Sequence, residues 1–126
     1  MTNGERNVLP SYEQSYVPRV RVEIYFPVST EPVYLHHRKW LIEELTQLHG
    51  GCSVQENLGG YYLSENKKLI EDRISVIYSD FDVDWFQPDE RAKVLDYCVR
   101  LKHFLLENLW EEEILISAYP VSHVSR

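Results

Sequence analysis

Residues 20 to 28 alternate without a break. Val20, Val22, Ile24, Phe26 and Val28 fall on one parity, and Arg21, Glu23, Tyr25 and Pro27 on the other. A period of two belongs to an extended strand with one buried face, because successive Cβ atoms leave the backbone on opposite sides. Such a strand needs an apolar layer to lie against, and the rest of the chain has to supply it.

Two later segments carry the helical period. Thr30-Glu31-Pro32 can open a helix, since proline is tolerated in the first turn. Val33, His37, Trp40, Leu41, Glu44, Leu45 and Leu48 then fall near one stripe, and His49-Gly50-Gly51 ends it with a glycine suited to the left-handed closing residue. In the second segment Asp84 and Gln87 read as a capping box, followed by the acidic first turn Pro88-Asp89-Glu90. Val94, Cys98, Leu101, Leu105 and Leu109 share its face, widened by Tyr97 and Phe104. Between the helices lie two β-rich stretches, Cys52 to Leu63 and Leu69 to Phe81, joined by a polar five-residue link from Ser64 to Lys68. Gly59-Gly60 inside the first of them points to a bulge or a close backbone approach. Ile114 to Val121 reads as a last strand.

The element order is therefore β-α-β-β-α-β, the ferredoxin-like arrangement. Right-handed crossovers put both helices on the same face of the sheet. The expected fold is α+β: a four-stranded antiparallel sheet with two helices on one face. Residues 1–18 read as a polar tail, with Tyr12, Tyr16 and Val17 available for docking, residues 19–122 as a single domain, and 123–126 as a second short tail. At 126 residues one domain can bury a core without cross-links.

Charge narrows the partners. The formal net charge is −7, and the longest basic runs are the pairs Arg38-Lys39 and Lys67-Lys68, so neither nucleic acid nor an anionic membrane is an expected partner. No stretch approaches the roughly 18 apolar residues of a membrane span, and the first residues contain no signal-type apolar run. A cytoplasmic protein with two reduced, buried thiols, Cys52 and Cys98, is the expectation.

Reactive groups form no known catalytic spacing. Asp80, Asp82 and Asp84 resemble the start of a calcium loop, but Trp85 stands where glycine is needed and Arg91 where glutamate should be. His36 and His37 diverge by about 100° on a helix, too far to chelate one ion. His49, His103 and His123 are isolated. No metal and no cofactor are expected. The remaining candidate is a ligand-binding carboxylate–arginine cluster on the exposed sheet face, built from Glu23, Glu56, Glu71 and Arg73 with Tyr61 beside them. A ligand could engage it, or one carboxylate could act as a base. The same face includes residues too apolar for water, among Tyr25, Tyr61 or Tyr62, Leu63, Ile77, Leu115 and Tyr119. A homo-oligomer follows from that surface or from strand edges, a dimer before a trimer.

The segments Gly60-Tyr61-Tyr62 and Lys68-Leu69-Ile70-Glu71-Asp72 resemble the long β2–β3 hairpin of PII-like and CutA-type proteins. That resemblance implies trimers joined through extended hairpins and, for some members, small-ligand or metal binding. This chain has a longer second helix and no recognisable nucleotide loop, so no binding residue carries over. In layout it also resembles dimeric α/β-barrel proteins, some of them monooxygenases or haem-degrading enzymes. The function expected from the residues is a non-catalytic oligomeric module that binds a small ligand or a protein through the open sheet face. The alternative is a small dimeric α/β-barrel-type enzyme with a carboxylate base such as Glu71 or Glu23.

Overall fold

The computed structural model describes residues 15–125. In chain order the elements are β1 (Tyr16–Pro27), α1 (Pro32–His49), β2 (Ser53–Leu63), β3 (Leu69–Phe81), α2 (Pro88–Asn108) and β4 (Ile116–Val124). The strands form one sheet in the order β2-β3-β1-β4, with every neighbouring pair antiparallel. This is the ferredoxin-like α+β layout expected from the periodicities, with two helices on one face.

The core lies between that face and the helices. Val20, Val22, Ile24 and Phe26 of β1 are fully buried, and they meet Tyr34, Leu41 and Leu45 of α1 and Val94, Leu101 and Leu105 of α2 in one cluster. Their cross-strand partners on β3 are Phe81, Ser79, Ile77 and Ser75. The two buried serines are satisfied. Ser79 Oγ donates to Gly51 O at 2.5 Å, which ties the α1–β2 loop to the sheet, and Ser75 Oγ donates to Glu56 Oε2 at 2.8 Å.

Several boundaries differ from the sequence reading. Strand β1 starts at Tyr16, which pairs with Val124, so residues 16–18 belong to the sheet. The remainder of the expected tail, with Tyr12, lies outside the described residues. Val28 has left the strand and is about half exposed. In α1 the inward stripe includes Tyr34, whereas Leu48 is exposed. Strand β4 runs to Val124 rather than stopping at Val121, which takes His123 and Val124 out of the expected second tail. The expected capping box does not form: Gln87 is the N-cap of α2 without a side-chain bond, and Asp84 Oδ1 instead accepts from Phe86 N.

The bulge falls elsewhere than the glycine pair. Register shifts between Gln55 and Leu58, where Asn57 has φ 59°, while Gly59 and Gly60 pair regularly with Arg73 and Asp72. Asparagine tolerates the left-handed region through its short polar side chain, so it takes the irregular position. Among the described residues, Gly50 is the one glycine whose backbone needs glycine: at φ 78° it closes α1, with its N–H on Thr46 O at 2.9 Å. A Cβ there would touch nothing within 4 Å, so Gly50→Ala is expected to lower stability by the backbone cost alone, about 1 kcal/mol in a urea melt. An unchanged midpoint would show that the αL closure carries no strain.

The β2–β3 hairpin outruns the rest of the sheet. The ladder between β1 and β3 ends at Pro27 and Ile74, with Val28 N donating once more to Arg73 O at 2.9 Å. Beyond it, Gly59 to Leu63 pairs with Leu69 to Arg73 as a two-stranded ribbon. Its turn is held by Ser64, whose N–H donates to Lys68 O at 2.9 Å and whose O accepts from Lys67 N at 2.8 Å.

Candidate functional site: the open sheet face

Antiparallel register fixes which side chains share the face that no helix covers. Arg21, Glu23 and Tyr25 of β1 stand opposite Asp80, Tyr78 and Val76 of β3, and Arg21 and Glu23 stand opposite Tyr119 and Ser117 of β4. Directly opposed side chains are close enough to interact, so these pairs determine the chemistry of the surface.

Asp80 is its electrostatic centre. Arg21 donates to it through Nε at 2.7 Å and Nη2 at 2.9 Å, a bidentate pair, and His123 Nε2 lies 2.5 Å from Asp80 Oδ2. The Arg21 guanidinium also sits 4.7 Å from the centre of the Tyr78 ring, within cation–π range. The bond from Arg21, reinforced by His123, holds the Asp80 carboxyl below its ordinary value, and Asp80 in turn raises Arg21. Tyr119 leans on Glu23, whose hydrogen bond is the first cause raising the Tyr119 phenol. The phenol therefore stays a donor at neutral pH.

The expected carboxylate–arginine cluster is not brought together as one group. Glu71 and Arg73 do share a face with Tyr61, as strand parity required, but it is the helix-side face of the ribbon. Glu23 pairs with Tyr78, on the opposite side of the sheet. Glu56 turns toward α1, where Arg38 Nη2 and Ser75 Oγ both bond to it. The physical reason is register: a single strand's alternation says which residues agree with one another, and the bulge after Gln55 then reverses the parity of β2. Of the apolar residues expected on the open face, Tyr25, Tyr62 and Tyr119 are there, while Ile77 is fully buried beneath the helices and Tyr61 and Leu63 take the other parity.

Arg21, Tyr78, Asp80, Tyr119 and His123 escaped notice as a group. Arg21 and Tyr119 carried the right parity. Asp80 read as a turn acid because three alternating aspartates precede α2. In the structure the three have separate partners: Asp82 pairs with Arg19 at 3.2 Å, and Asp84 holds its own turn.

Among the described residues, neither thiol is poised as a nucleophile. Cys52 and Cys98 are free and half-buried; burial pushes Cys98 up to about 11 and raises Cys52 against the opposing pull of Arg38. Thiols so shifted stay protonated near neutral pH. His49 lines a groove of about 360 Å³ with Cys52, Tyr78, Asp80 and His123. Its ring stacks on Phe81 with centroids 3.5 Å apart, and burial lowers its pKa. Among the described residues, no group of three or more His, Cys, Asp or Glu could hold a metal ion, and no helix is long and apolar enough to cross a membrane. Comparison with known proteins finds no matching family model, no matching curated protein and no matching solved structure.

Proposed function

We propose that the chain is a non-catalytic, self-associating module whose open sheet face binds a small ligand or a protein partner. The observation that carries this reading is the composition of that face. Tyr25, Tyr78 and Tyr119 accompany the Arg21–Asp80 pair on the side opposite the helices. Tyrosine and arginine side by side are typical of binding surfaces, where flat rings give contact area and the polar ends give direction. The carboxylate-base alternative lacks a corresponding support. Among the described residues, the carboxyl groups displaced from their ordinary values, Asp80 and Glu113, are held down chiefly by Arg21 and Lys102, the reverse of what a base working near pH 7 needs.

A thermal-shift screen against amino acids, nucleotides, sugars and carboxylic acids, with hydrogen exchange to map each hit, tests the reading. A binder of the native state raises Tm by mass action. The expected result is protection on β1, β3 and β4 that disappears in the Tyr25→Ala/Tyr119→Ala double variant. Protection confined to the helices, or binding unaffected by the double substitution, would refute it.

A further inference from the structure

The two edges of the sheet are protected unequally. Strand β4 carries Pro120 at its centre, and where it ends Ser125 N donates to Ser15 O at 2.7 Å. Proline removes a ladder donor and discourages the addition of another strand. The other edge, β2, has no proline, and residues 57 to 63 carry no charge at all. That run includes Tyr61 and Leu63, each about two-thirds exposed, and the facing Leu69 is 70% exposed. It is also the part of the hairpin that runs past β1 without a third strand. A two-stranded ribbon on its own is marginal in water, and a long uncharged edge invites pairing.

We infer that β2 pairs antiparallel with β2 of a second copy, across a two-fold axis near Gly59-Gly60. Charge selects this occupant. A chain of net charge −7 repels its own copy over most of its surface, whereas residues 57 to 63 meet without cost. An axis at the glycines also lays the hairpin tip of one copy alongside the start of β2 in the other. The tip carries Lys67 and Lys68 against the single acid Glu65, a basic end on an otherwise acidic chain, and the symmetry makes that contact twice. Antiparallel edge pairing has its two-fold axis perpendicular to the sheet. The open faces of both copies therefore lie on the same side and join into one eight-stranded surface. The inference rests on the proposed binding role of that face only for its purpose; the pairing itself uses backbone groups that the face does not.

Gly59 supplies the test. A Cβ there meets nothing within 4 Å, and its φ is not positive, so a side chain is compatible with the folded protomer. Near the axis, Gly59→Lys sets two ammonium groups against each other across the strands. Sedimentation velocity over the micromolar range should show a dimer for the natural chain and for Gly59→Ala, and a folded monomer by circular dichroism for Gly59→Lys. The open-face variant Tyr25→Lys should remain a dimer. A monomeric or trimeric natural chain, a dimeric Gly59→Lys, or dissociation by Tyr25→Lys would each overturn the β2 pairing. Ligand binding by the Gly59→Lys monomer reports separately on the open face, so β2 pairing and binding by the open face fail independently.

Discussion

Phe26→Ala is expected to lower folding stability by about 4 kcal/mol, the scale for truncating a buried aromatic to a methyl group. Phe26 is 1% exposed, one pair before the end of the β1–β3 ladder and opposite Ser75. Its ring meets Tyr34 edge-on with centroids 6.5 Å apart, and Tyr34 OH donates to Glu111 Oε2 at 2.6 Å. The substitution therefore opens a void in the core and also releases the ring that orders the segment after α2. Ser75 is small and engaged by Glu56, and cannot move in to fill the space. Domains of this kind are stable by only about 5–15 kcal/mol, so the urea midpoint should fall by a large part of its value. A loss below about 1 kcal/mol would mean that the α1–β1 packing is not the centre of the fold. Protein concentration has to be held constant, because self-association would add to the apparent stability.

Asp80→Asn is expected to cost about 2 kcal/mol at neutral pH, the order for hydrogen bonds made by a charged group that leaves a partner stranded. The change removes the charge that Arg21 grips at both of its nitrogens and that His123 approaches at 2.5 Å. Its pH dependence identifies the cause. The Asp80 carboxyl is depressed in the folded chain, chiefly by Arg21. Its stabilising contribution is therefore complete above its ordinary value near 3.8 and lost as pH falls through the lower folded value. The natural chain should lose its advantage over Asp80→Asn in that acid window and keep it above pH 5 or so. His49 acts in a different window. Its folded pKa is lowered by burial, so protonation of the unfolded chain begins first as pH drops below the ordinary 6.5, and both proteins should lose stability there alike. A difference between the two that stayed constant down to the lowest pH would rule out a charged contact at Asp80.

Much of the architecture was legible because each element carried its own period. The alternation from Val20 and the stripe through Val94, Leu101 and Leu105 each specify a buried face locally, and the boundaries of β3 came out as expected. The candidate site was not legible to the same degree. Glu71 and Arg73 were rightly placed on one side of their strand, but which side depends on how β3 sits against β1. That register is set by Ile24 meeting Ile77 in the core, far from either residue. Asn57 was the second obstacle. A left-handed asparagine inserts one residue into β2 and reverses the faces of the residues after it, so that Tyr61 and Leu63 fall on the helix side with Glu56, and no periodicity announces it. Gly59-Gly60 looked like the better place for a bulge on conformational freedom alone. The Arg21–Asp80–His123 group spans three strands and becomes visible only once all of them are in register.

Strand β1 lies between β3 and β4, so the most deeply buried strand pairs on one side with the last of the four strands to be made. On a ribosome its alternating apolar row would emerge first among these strands and wait through both helices and the hairpin before its final neighbour could dock. Contacts this distant in sequence close large loops and slow folding. Until Ile116–Val124 arrives, β1 is an uncovered edge with both of its ladder rows unpaired on that side. A nascent chain stalled before β4 would be the most aggregation-prone form this molecule takes.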